Sequence, residues 1–169
     1  MKNGLTVTTD NADAVLAALA KLSGMDVLVG IPEGNAARED GQLNNAEIGY
    51  LQSTGATMEI DGAVVTLPPR PFLDIGIEDT QERTTAHLKA AAQYALEGKA
   101  EGAERELNNA GQIASDGAKA VIEAGDRLAP LSEKTIQKRR EAKPPIAGDK
   151  PLRARGYLLR SITYVVRKQ

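Results

Sequence analysis

The stretch GIEDTQERTTAHLKAAAQYALEGKAEGAERELNNAGQIASDGAKAVIEAGDRL, residues 76–128, decides the fold. It is dominated by Ala, Glu, Gln, Lys and Arg, the residues that lose least on entering a helix. Leu88, Ala91, Ala92, Ala95 and Leu96 mark one apolar series, and Leu107, Ala110, Ile113, Ala114, Val121 and Ile122 mark a second. The spacing predicts two helices with a weak joint at Gly98. Gly102, Gly111, Gly117 and Gly125 interrupt this pattern, and each costs roughly 1 kcal/mol relative to alanine in a helix interior. Such residues favour either close helix packing or breaks, and the sequence leaves both open.

Working towards the N-terminus, Phe72 to Ile77 is an apolar lead-in to the helical stretch, and Pro68-Pro69-Arg70-Pro71 stops a preceding ladder because proline removes donors. Met58 to Ile60 and Ala63 to Leu67 are β-rich runs joined by Asp61-Gly62, a strong hairpin signal. Asn45 begins a short helix with Ala46, Ile48, Tyr50 and Leu51 as apolar positions and Gly55 at its end. Asp26 to Ile31 reads as a buried strand closed by Pro32, and Glu33 to Gln42 as a mobile excursion. Thr9 and Asp10 are placed to cap a helix that lies on a core through Ala12, Val15, Leu16, Leu19 and Leu22 and ends at Gly24.

Towards the C-terminus, Ser132-Glu133-Lys134-Thr135 opens a short basic helix to about Glu141, and Lys143 to Gly148 is extended. Tyr157 to Val166 reads as a terminal strand preceded by a helical turn through Leu158 and Leu159. The expected class is α+β: a small, mainly antiparallel sheet from the segments near Val27, Met58, Ala63 and Tyr157, packed by the N-terminal helix and the long central helices. A length of 169 residues predicts one domain, 1–169, with a helical middle at 76–128 and a basic C-terminal segment at 133–169.

Only 3% of residues are aromatic, with one Phe and no Trp, so the core must come from Leu, Ile, Val and Ala. The absence of Cys excludes disulfide and thiolate chemistry. Met1 to Asp10 contains no apolar run that would read as a signal peptide, and no stretch approaches the roughly 18 apolar residues of a membrane span, so a soluble protein made in the cytoplasm is expected. Residues 133–169 carry eleven basic and three acidic side chains, a net of +8; this leaves −10 on the rest of a chain whose total is −2. That asymmetry fits a nucleic-acid arm or a basic end that meets the acidic body of another copy.

Catalytic constellations are sparse. His87 is the one histidine, with no Cys to share a zinc or iron site, and no Ser sits in a nucleophile-elbow pattern. Gly98-Lys99 lacks the remainder of a phosphate-binding loop. Glu39-Asp40 and Glu78-Asp79 are carboxylate pairs that suit solvated loops and helix starts better than acid–base work. Lys138-Arg139-Arg140 is a compact basic cluster, yet only Tyr157 and Tyr164 are present nearby as stacking platforms. No catalytic, metal or cofactor site is assigned.

Three segments together resemble the neck and tail-completion proteins, or minor tail components, of long-tailed bacteriophages. Asn45-Ala46-Glu47-Ile48-Gly49-Tyr50-Leu51-Gln52 followed by Gly55 is similar to their N-A-E-I-A helix, and Pro69-Arg70-Pro71-Phe72-Leu73 to their P-x-R-P-F-L turn. Gly156 to Tyr164 resembles their G-x-L-x-x-S-I-x-Y ending, and Val27 to Ile31 their V-x-V-G-I strand. The order agrees from about Val27 to Val166. Ser53-Thr54 stands where the family has E-F, and Arg155 where it has Thr before the glycine.

The resemblance implies a structural virion protein, not an enzyme, that completes the tail end and helps to join tail to head as a ring, six-fold in many such assemblies. A tail terminator in the strict sense and a non-specific DNA-binding module are the alternatives, and a hydrolase using Glu39, Asp40, Glu78 or Asp79 ranks last. The implied partners are further copies and other neck and tail proteins, such as a terminator, head-closure, tube or tape-measure protein, with contact to packaged DNA and no membrane. The residues expected at interfaces or as structural anchors are Arg70, Pro71, Phe72, Lys138, Arg139, Arg140, Arg155, Tyr157, Arg160 and Tyr164. Arg70 suits an internal staple or an intersubunit contact equally. Truncation after Pro151 is expected to leave a folded monomer unable to assemble.

Overall fold

Gly98, with φ at +72°, turns the chain between two 25-residue helices, α4 (Phe72–Leu96) and α5 (Ala100–Ala124). These form the backbone of a computed structural model that describes residues 12–38, 42–60 and 62–168. The other elements are α1 (Ala12–Ser23), β1 (Met25–Gly30), α2 (Glu33–Ala36), α3 (Asn45–Thr54), β2 (Ala56–Ile60), β3 (Ala63–Leu67), α6 (Glu133–Glu141), α7 (Tyr157–Ser161) and β4 (Thr163–Lys168). The mixed helix-and-sheet class expected from the sequence is what the chain adopts.

The helical glycines serve close packing. A side-chain carbon on Gly117 would stand 2.6 Å from the Gly76 carbonyl oxygen, and one on Gly76 would overlap the backbone of Ala118. The two helices therefore touch backbone to backbone, which only glycine permits at these positions. Gly102 receives the ring of Tyr94 and Gly111 the ring of Tyr164 in the same manner. Gly125, at φ +71°, ends α5 as a left-handed cap.

Helix α4 begins four residues earlier than its polar composition suggests. Phe72, expected in the lead-in, is fully buried in the first turn and packs with Ala118, Val121, Ile122, Leu128, Leu158 and Ile162. Glu78 and Asp79 thus lie in the second turn, and Asp74 is the acid of the first. Burying a phenylalanine is worth about 1.5–3 kcal/mol, so in a chain this poor in aromatics it fixes the start of the helix.

The strand segments form two separate antiparallel ladders instead of one sheet. β1 pairs with β4, with Val27 opposite Val166 and Val29 opposite Tyr164, and β2 pairs with β3 as the predicted hairpin. Pro32 after β1 and Pro68 after β3 deny either ladder the donors to extend. Val27, Val29, Tyr164 and Val166 are half-buried on one face, where Tyr164 covers Gly111 of α5; Leu28 and Val165 are exposed on the other.

Three further expectations are revised. Helix α1 has no buried residue: Val15, Ala18 and Leu22 are half-covered, whereas Leu16 and Leu19 are 63% and 42% exposed. The segment read as a mobile excursion contains the short helix α2, with Ala36 buried. Truncation after Pro151 would not leave a folded monomer, because it removes Leu158 and Ile162 from the core and β4 from β1. The proposed caps Thr9 and Asp10, the turn residue Asp61 and the Glu39-Asp40 pair lie outside the described residues.

The crossing gives a direct test. Gly76→Ala should lower the unfolding free energy by about 3 kcal/mol, as backbone overpacking does. Gly34→Ala, where nothing lies within 4 Å, should change it by less than about 1 kcal/mol. Urea titration followed by circular dichroism measures both.

Candidate functional site

Arg70 is 4% exposed, and every branch of its guanidinium is engaged. Nε donates to the Ala129 carbonyl at 2.6 Å, one terminal nitrogen to Gln52 Oε1 at 2.8 Å and the other to the Pro130 carbonyl at 2.9 Å. Its backbone amide also donates to the Gln52 carbonyl at 2.7 Å. Pro71, with φ at −77°, precedes the first residue of α4 and fixes the direction in which the chain enters it. Arg70 is therefore an internal staple that ties α3 to the segment after α5. Burial lowers its pKa from the ordinary guanidinium value, and the nearby charge of Arg139 lowers it further.

The same arginine forms part of the wall of an open cleft of about 530 Å³ between β3, α3, α6 and the turn into α7. Arg38, Arg139 and Arg155 line this cleft with Tyr157, and among the described residues no Asp or Glu does. Arg139 gives one hydrogen bond to the Lys150 carbonyl at 3.0 Å, and burial lowers its pKa too. Arg38 and Arg160 each stand 5.3 Å from the Tyr157 ring centre, within cation–π range. Arg38 Nε is buried with no hydrogen-bond partner among the described residues.

The expected interface residues thus divide. Arg139, Arg155 and Tyr157 share the cleft, Arg160 leans on Tyr157, Phe72 is core, and Tyr164 lies against Gly111. Arg140 instead faces a shallow depression with Pro145 and Ile146, and Lys138 is exposed on α6. Sequence reasoning missed Arg38, because an acidic, glycine-bearing neighbourhood reads as loop, and it missed Gln52, whose role needs a partner 18 residues away. Asn44 also went unread: its side chain and that of Glu47 form a reciprocal capping box at the start of α3.

Elsewhere two carboxylates are held by local partners. His87 Nδ1 lies 2.6 Å from Glu106 Oε2 across the α4–α5 pair, and this hydrogen bond holds the Glu106 carboxyl below the usual range. Asp79 takes a two-pronged contact from Arg127 that lowers its pKa in the same way. Among the described residues no group of three or more His, Asp or Glu is placed to hold a metal ion, and no helix is long and apolar enough to cross a membrane.

No family model matches the chain, and neither the curated proteins nor the solved structures contain a significant match to it.

Replacing Arg70 with Ala strands two backbone carbonyls and the Gln52 side chain. The expected loss is roughly 3 kcal/mol of stability with no change in the mass of any assembly, measured by thermal melts beside light scattering. A variant that keeps its stability but loses assembly would instead make Arg70 an intersubunit contact.

Proposed function

We propose that this chain is a structural protein of a phage tail or neck, completing the tail end and helping to join tail to head by assembling with further copies and with neighbouring tail proteins. One observation carries the reading: the outer face of the β1–β4 ladder. Leu28 and Val165 face each other across the strands and are 44% and 40% exposed, beside an Asp26–Arg167 ion pair at 3.2 Å. β4 is also an edge strand, since among the described residues its single neighbour is β1. An edge strand with an uncovered aliphatic pair is a template for another chain.

The segments that resemble phage proteins support the reading by meeting in space. A side-chain carbon on Gly49 would stand 2.9 Å from Ile31, 3.5 Å from Leu158 and 3.9 Å from Phe72, so the strand, helix, turn and ending motifs all reach one point. Motifs scattered over more than 130 residues thus act as one packing unit, as residues kept for a shared fold would.

Light scattering on the purified chain tests the assembly. The wild type should give a mass that is a multiple of the 17.9 kDa chain. The double variant Leu28→Lys, Val165→Lys should keep its circular dichroism and raise the assembly midpoint roughly 100-fold, because unpaired charge buried at an interface costs about 3 kcal/mol. A wild type that is monomeric at every concentration and absent from purified particles would contradict the proposal.

A further inference from the structure

The charged side chains lining the cleft are, among the described residues, all arginines, and Asp149, whose charge acts on Arg139, stands outside that lining. Arg38, Arg139 and Arg155 line the cleft, Arg139 lies close enough to Arg70 to disturb it, and no carboxylate is among the described lining residues. Like charges gathered in a partly desolvated cleft repel one another, and an anion arriving there relieves this. Arg155 is exposed and has no hydrogen bond or ion pair to another described residue, so its five donors are available.

The cleft wall next to these cations is a sheet edge. Among the described residues β3 pairs only with β2, and Val65, Thr66 and Leu67 line the cleft. Ile60 stands opposite Ala63 across a two-residue turn, so the hydrogen-bonded pairs alternate, and Val64 and Thr66 turn their backbone groups away from β2. Val64 is 76% exposed and Val65 41% exposed. A bare two-stranded hairpin gains little by itself in water, and a third strand would satisfy its edge and cover these valines.

We infer that the cleft is a docking site for an extended, acidic segment of a partner polypeptide, which adds to the free edge of β3 and sets its carboxylates on Arg38, Arg139 and Arg155. β-Strand addition supplies main-chain hydrogen bonds, and every second side chain of the incoming segment points into the cleft. Bidentate guanidinium–carboxylate contacts then give sign and spacing specificity. A peptide fits better than a nucleic-acid strand. The wall is largely aliphatic, and its one aromatic ring, Tyr157, already carries two guanidinium groups where a base would stack. The inference does not rest on the virion reading, since the cleft would take such a segment in any assembly.

The test uses the full chain and a fluorescent heptapeptide of alternating valine and glutamate flanked by threonines, followed by anisotropy. The lysine analogue of the peptide and a fluorescent fifteen-nucleotide thymidine strand serve as comparisons. The glutamate peptide should bind, its lysine analogue should not, and affinity should fall with salt. Arg38→Glu and Arg155→Glu should each weaken binding at least tenfold. Thr66→Pro, which removes an edge donor and leaves the arginines in place, should weaken it similarly, with circular dichroism confirming that each variant is folded. Equal binding of the glutamate and lysine peptides, or glutamate-peptide binding untouched by the three substitutions, would overturn the inference. Binding of the thymidine strand alone, lost in the arginine variants, would also overturn it and make the cleft a nucleic-acid groove.

Discussion

Backbone contact between α4 at Gly76 and α5 at Gly117 and Ala118 is the constraint on which the rest of the structure depends. Thr80 seals it: its hydroxyl donates to the Gly76 carbonyl at 2.8 Å, and its methyl group packs at Gly117. Because the helices approach so closely there, Phe72 at the start of α4 reaches Ala118, Val121 and Ile122 on α5. That patch is the floor that receives Leu158 and Ile162 from the end of the chain, and through them β4 and its partner β1. A chain with a single phenylalanine and no tryptophan has few large side chains with which to bridge a gap. It closes the gap by bringing backbones together instead.

This dependence explains which parts of the fold were legible in the sequence. The two long helices, the joint at Gly98, the Asp61-Gly62 hairpin, the Ser132 cap of α6 and the helical turn before the last strand are all local, and propensity or turn chemistry specifies each within a few residues. Glycine inside a helix states only that something is close, and for Gly76, Gly111 and Gly117 what it is close to is settled by chain more than 40 residues distant. The division into two ladders was equally hidden. The apolar rows of β1, β2, β3 and β4 are compatible with one sheet, and only the placement of α5 beneath Tyr164 decides that β4 joins β1.

The basic segment shows how charge summed along a sequence differs from charge in space. Residues 133–169 read as a cationic arm, but the structure ties them to the body. Lys150 donates to the Glu123 carbonyl at 2.7 Å, Arg139 to the Lys150 carbonyl, and Arg167 meets Asp26. What remains concentrated is a smaller set, Arg139 and Arg155, joined by Arg38 from a stretch that linear inspection assigned to the acidic half. Candidate residues chosen for their chemistry alone thus separated into a staple at Arg70, a core anchor at Phe72 and a cleft built around Tyr157.

The inner face of the β1–β4 ladder packs on the chain's own α5, and in the proposed assembly its outer side meets another chain. Hydrogen exchange followed by mass spectrometry over a range of protein concentration tests that division directly. Amides around the α4–α5 crossing should be protected at every concentration, while those of residues 163–168 should gain protection as concentration rises. Exchange at residues 163–168 that is independent of concentration would contradict it.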